Sequence, residues 1–120
     1  MKMSNVVKEK SFAFAVRVVN LYKYLCNEKK EFVLSKQLLR CGTAIGALVR
    51  EAEQAESKPD FVHKMAIALK EVNETEYWIL LRWETGYLNT NEAESAINDN
   101  KELLKLLTRI INSTKQGMGT

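Results

Sequence analysis

Apolar residues recur with helical spacing in four stretches, separated by short polar joints. In the first, from about Val6 to Cys26, Phe12, Ala15, Val16, Val19, Tyr22 and Cys26 fall on one stripe. Phe14, Val18, Leu21 and Leu25 fall on a second, at i, i+4, i+7 and i+11, which is the repeat of an α-helix. Two stripes are more apolar surface than a single core-facing side uses. The second is therefore assigned to contact with another copy of the chain.

Asn27 to Glu31 is a charged joint, and Ser35 is placed to cap a second helix running to about Glu56, with Leu38, Leu39, Cys41, Ile45, Leu48, Val49 and Ala52 inward. Gly42, Ala44, Gly46 and Ala47 make its middle slim. An interior glycine costs roughly 1 kcal/mol relative to alanine, so the cluster is read as a place where a neighbouring helix approaches closely, with a hinge as the alternative.

Ser57 followed by Asp60 reads as a capping box, with Pro59 in the first turn, where its missing N–H does no harm. The third helix then runs to about Thr85, where Gly86 suits a C-terminal cap. It is apolar on several flanks and carries carboxylates among its apolar positions, so it needs partners on several sides; Tyr77 and Trp78 join the expected contact surface between copies. Asn89 with Glu92 signals a fourth helix, carried by Ala93, Ala96, Ile97, Leu103, Leu104, Leu107, Ile110 and Ile111 to about Thr114, with Lys115 to Thr120 as a frayed tail.

Short joints favour antiparallel neighbours. The pattern predicts one all-α domain over residues 1–120, core about 6–114, folded as an up-down-up-down antiparallel four-helix bundle that oligomerises. Composition agrees, because one proline and five glycines in 120 residues leave few helix breakers.

Cys26 and Cys41 form no CxxC pair, which suits buried structural thiols in a reduced cytoplasmic setting. Lys2, Lys8 and Lys10 precede an apolar run that Arg17 interrupts, so neither a signal peptide nor a membrane span is expected.

Charge is unevenly distributed. Residues 1–50 hold ten Lys or Arg against three acids, and residues 51–120 hold eight against twelve, so a net +3 divides into +7 and −4. Lys36, Arg40 and Arg50 share a face of the second helix with small residues between them, leaving room for a phosphate backbone; Lys29, Lys30, Lys10 and Arg17 extend the patch. The plainer reading is that Arg40 pairs with a bundle carboxylate and the lysines merely solvate.

Glu51, Glu71, Glu74 and Glu76 lie among apolar positions and converge in one version of the bundle. A di-metal site of the ferritin type needs two histidines, and His63 is the only one, so no metal or other cofactor is expected. The glutamates are read instead as acceptors for Tyr22, Tyr77, Trp78 or arginines, setting helix register. Tyr77, Trp78, Trp83 and Tyr87 have the chemistry to stack on bases, but on a helix this apolar they suit a core or a contact between copies. No Ser or Cys has a nearby His on a matching face and no phosphate loop occurs, so no enzyme is expected.

From about Phe12 to Lys115 the chain resembles the four-helix-bundle proteins encoded in intervening sequences of bacterial 23S ribosomal RNA genes. The stretches that carry the resemblance are Ser35-Lys36-Gln37-Leu38-Leu39-Arg40, Thr43-Ala44-Ile45-Gly46-Ala47 with Glu51-Ala52, and Ser57-Lys58-Pro59-Asp60-Phe61. The most specific is Ala68-Leu69-Lys70-Glu71-Val72-Asn73-Glu74-Thr75-Glu76-Tyr77-Trp78. The resemblance implies a bacterial cytoplasmic protein without known catalysis, assembled as a ring-like homo-oligomer, a pentamer. A related branch, the accessory variability determinant of diversity-generating retroelements, binds nucleic acid and its reverse transcriptase through a basic surface.

The expectation is a non-enzymatic homo-oligomer that presents a basic surface to RNA or DNA. The alternative is an adaptor whose basic face docks an acidic protein partner. A bundle that binds a small molecule or a metal is a third reading.

Overall fold

The computed structural model describes residues 5–119; Lys2 and Thr120 lie outside them. The chain forms α1 (Asn5–Asn27), α2 (Val33–Glu53), α3 (Lys58–Glu84) and α4 (Thr90–Gly119), and no strand occurs among the described residues.

Local chemistry explains most of the boundaries. Ser57 is the extended residue before α3, and its hydroxyl accepts the Asp60 N–H at 3.1 Å with Pro59 in the first turn. Asn89 and Glu92 exchange side-chain and backbone hydrogen bonds of 2.8 and 2.9 Å ahead of α4. Gly86, at φ 85°, ends α3 in the left-handed region that glycine enters without strain. Its N–H donates to Trp83 and that of Tyr87 to Arg82, the paired bonds of a Schellman cap.

Three boundaries depart from expectation. Ser35 lies inside the first turn of α2, and the Glu31 carboxylate satisfies the helix start instead, accepting the Leu34 N–H at 3.0 Å and the Ser35 hydroxyl at 2.8 Å. A carboxylate two residues ahead of the helix also meets the positive end of its dipole. At the other end, α2 stops at Glu53 rather than Glu56, and the Gln54 and Ala55 N–H groups close a tight turn onto the carbonyls of Glu51 and Ala52. The expected frayed tail is helical to Gly119, because nothing after Thr114 breaks the pattern before Gly117.

Ion pairs show the directions of the helices. Lys8 near the start of α1 meets Glu53 at the end of α2, Glu51 meets Lys64 near the start of α3, and Arg17 and Lys10 of α1 meet Asp99 and Glu102 of α4. Each neighbouring pair is therefore antiparallel, in up-down-up-down order. Consecutive helices pack extensively, whereas α1 and α4 touch sparsely, in a bundle 50 × 21 × 21 Å in extent.

The slim middle of α2 is where α1 comes close. A Cβ on Gly42 would lie 2.7 Å from a Val18 methyl, and one on Gly46 would lie 3.2 Å from the Ser11 carbonyl oxygen. This contact determines which stripe of α1 faces inward and reverses the expected assignment. Phe14, Val18 and Leu25 are buried in the chain's own core and Leu21 packs against it, so the stripe assigned to another copy lies inside the bundle. Phe12 and Val16 of the other stripe are exposed, Phe12 at 57%.

Candidate nucleic-acid interface

The seven basic residues read as one patch are dispersed by the fold. Lys10 and Arg17 lie on the α1–α4 edge, where Lys10 meets Glu102 at 3.0 Å and Arg17 meets Asp99 at 2.6 Å and the Ser95 hydroxyl at 2.8 Å. Arg40 lies on the α2–α3 side, within reach of Glu71 at 3.4 Å and hydrogen-bonded to Glu74. These three cations are answered by carboxylates of the chain itself.

The other four have no carboxylate partner among the described residues. Arg50 lies over the Phe12 ring at 5.7 Å, and Lys29 over the Tyr24 ring at 5.8 Å. Lys30 and Lys36 are exposed and make no ion pair among the described residues. Lys29 and Lys30 occupy the α1–α2 turn and Lys36 the first turns of α2, so the three share one end of the bundle, with Phe32 beside them 51% exposed. Arg50 lies toward the opposite end, near the C-terminus of α2.

The four glutamates do not converge. Glu51 lies 3.9 Å from Lys64, Glu71 and Glu74 hold Arg40, and Glu76 is half-buried elsewhere on α3. Glu74 also accepts the Trp78 indole N–H at 3.1 Å, a bond within α3. Among the described residues no group of three or more His, Cys, Asp or Glu is placed to hold a metal ion. Trp78 packs against the core and meets Tyr77 edge to face at 5.0 Å, while Tyr77 and Leu80 are exposed on α3.

Both cysteines are free. Burial pushes the Cys41 thiol above its ordinary value, against an opposing hydrogen bond with Thr75; Cys26 is half-buried beside Tyr22, whose hydroxyl a hydrogen bond with that thiol pushes up. A thiol pushed up in this way, as Cys41 is, holds less thiolate, the form that acts as a nucleophile.

Sequence reasoning missed the buried ion pair between Glu31 and Arg82. Burial pushes the Glu31 carboxyl up, but the Ser35 hydroxyl, the Leu34 N–H and the Arg82 guanidinium together outweigh it and hold the group below the usual carboxylate range. A signal was available, since Arg82 interrupts the run Trp78 to Trp83, which is otherwise apolar. Such a residue needs a buried anion, and the joint Asn27 to Glu31 offers two candidates, Glu28 and Glu31, of which the fold buries Glu31.

No helix among the described residues is long and apolar enough to cross a membrane. The family model described as 23S rRNA-intervening sequence protein matches residues 3–109. Among solved structures, the chain is similar to the 1.70 Å crystal structure of a protein with unknown function from the S23 ribosomal protein family of Bacteroides thetaiotaomicron VPI-5482. The two are 61% identical, over 88% of this chain and 97% of that one, with a TM-score of 0.87. Comparison with curated proteins gives no match.

Proposed function

Given that the chain belongs to the 23S rRNA-intervening sequence protein family, we propose that it is a non-enzymatic, cytoplasmic homo-oligomer whose α1–α2 end binds RNA or DNA. The observation that carries this reading is the group Lys29, Lys30 and Lys36, cations without carboxylate partners among the described residues, next to the exposed ring of Phe32. Free ammonium groups displace counterions from phosphates, and an exposed ring stacks on an unpaired base. Lys10, Arg17 and Arg40 contribute less, since each must first leave a carboxylate of its own chain. Arg50 is a secondary contact.

Self-association supports the same reading through charge, because copies at +3 add their fields and attract polyanions. The faces proposed for it are Phe12, Val16 and Val19 on α1 and Tyr77 and Leu80 on α3, which the monomer leaves wholly or partly open to solvent. A ring of five follows from the family resemblance, and light scattering measures it. A folded monomer at micromolar concentration would remove this part of the proposal.

The binding test is fluorescence anisotropy with single-stranded RNA and duplex DNA across a salt series. Saturable binding that weakens linearly in log salt is expected. Changing Lys29, Lys30 and Lys36 to alanine should lower the slope by about 2 to 3, at 0.7 to 0.9 per phosphate contact. No saturable binding at low salt would make an acidic protein the partner of this surface.

A further inference from the structure

Arg82 is the most demanding group in the molecule. It lies in the last turn of α3 and is 1% exposed, although a charged side chain in an apolar interior is costly unless an opposite charge answers it. Its Nη1 donates to Glu31, and the Tyr87 ring lies 5.2 Å from the guanidinium carbon. Nε and Nη2 have no hydrogen-bond partner among the described residues, so the polar attachment of the side chain runs through one carboxylate.

That carboxylate belongs to the α1–α2 turn. Besides Arg82 it holds the Leu34 N–H and the Ser35 hydroxyl, and the Glu31 backbone N–H donates to the Leu25 carbonyl at 3.0 Å. Glu31 directly follows Lys30, whose φ of 56° is left-handed, a conformation uncommon for a residue with a Cβ. An uncommon backbone conformation persists where its surroundings over-determine it, and here the anchoring falls on the next residue.

We propose that Arg82 is a positioning residue for the basic turn: through Glu31 it fixes the backbone of residues 28–32 and the directions in which Lys29 and Lys30 extend. This rests on the reading of the turn as a polyanion-binding surface and gives that surface its support. A turn already ordered loses little backbone entropy on binding, so the same cations bind more tightly than they would from a loose loop.

Arg82→Met is the main test, since it removes the charge at similar length and leaves Glu31 its contacts with Leu34 and Ser35. Arg82→Lys, which keeps one charged donor, is the second variant. Each is compared with wild type by the rate of trypsin cleavage after Lys29 or Lys30, followed by mass spectrometry where circular dichroism shows a folded helical protein. The affinity and salt slope for a single-stranded RNA of fixed length are measured alongside.

In Arg82→Met, cleavage in the turn should rise at least tenfold while cleavage after Lys70 and Lys101, inside helices, stays unchanged. RNA affinity should fall several-fold with an unaltered salt slope, because the same phosphates are met from a less ordered turn. Arg82→Lys should fall between. Unchanged turn cleavage in folded Arg82→Met, or in Arg82→Lys if the methionine variant does not fold, overturns the positioning role. Faster cleavage with unaltered RNA affinity confines Arg82 to structure and overturns the proposal as well. A wild type that binds no RNA refutes the binding surface itself, and trypsin still decides whether Arg82 fixes the turn.

Discussion

Toward α2, α1 rests Val18 and Ser11 on Gly42 and Gly46; toward α4, it reaches across with Lys10 to Glu102 and Arg17 to Asp99. The first seam is backbone-close and closes at its end on the buried Glu31–Arg82 pair. The second is bridged by charges that are exposed or nearly so, and a partly open cleft lies between the helices there, lined by Lys10, Ala13 and Phe14 of α1 and Asp99, Glu102 and Leu103 of α4. Close packing in a core is rigid and insensitive to salt, whereas exposed ion pairs contribute little and are screened. The same helix is therefore held firmly on one side and loosely on the other.

The largest effect is expected where the firm side ends. Glu31→Ala should lower stability by about 3 to 5 kcal/mol, because it leaves the Arg82 guanidinium buried without an anion. Arg82→Met should cost less, since Glu31 keeps Leu34 and Ser35. Urea unfolding of both variants decides this, and the reverse order would show that the carboxylate is the worse-satisfied partner.

Next in size is the close approach. Gly46→Val should cost about 1 to 3 kcal/mol, because the added side chain meets the Ser11 backbone, which has no rotamer to change. The nearest atoms to a Cβ on Gly42 all belong to the Val18 side chain, so Val18→Ala should recover part of the loss from Gly42→Ala in the same molecule; strictly additive effects in that double-mutant cycle would mean the two helices are not in contact there.

Acid should act at the firm seam too. The Glu31 carboxyl is held below its unfolded value of about 4.3. Its contribution is therefore complete above that value and is lost as pH falls through the lower, folded one. The melting temperature of wild type should drop more steeply below about pH 4 than that of Glu31→Gln, and parallel curves would remove Glu31 from acid unfolding.

The smallest effect belongs to the loose seam. Asp99→Asn and Glu102→Gln should each cost about 0.2 to 1 kcal/mol at low salt, and less in 1 M salt. A loss as large as that of Gly46→Val would abolish the distinction between the two seams.

Residues close to one another in the chain made much of this fold legible. Ser57 with Asp60, Asn89 with Glu92, and Gly86 after α3 act within a few residues, and the fold uses each as its chemistry suggests. Ser35 misled because Glu31, four residues earlier, offers a stronger acceptor to the same helix start. The two stripes of α1 were each visible, but periodicity counts apolar positions without saying which set meets the partner. Val18 seated on Gly42 settles that, and it moves Phe14, Val18 and Leu25 into the core.

The basic residues were equally visible, and their availability was not. Arg40 is answered 31 and 34 positions away by Glu71 and Glu74, and Arg17 by Asp99, 82 positions away. The order of residues by itself determined four helices, the caps of α3, the start of α4 and an excess of positive charge in the first part of the chain. Only the tertiary structure decided which apolar stripe faces water, which cations remain free, and that Arg82 meets Glu31. Caps and helical periodicity are interactions within one or two turns, whereas burial and ion pairing depend on which helices the chain brings side by side.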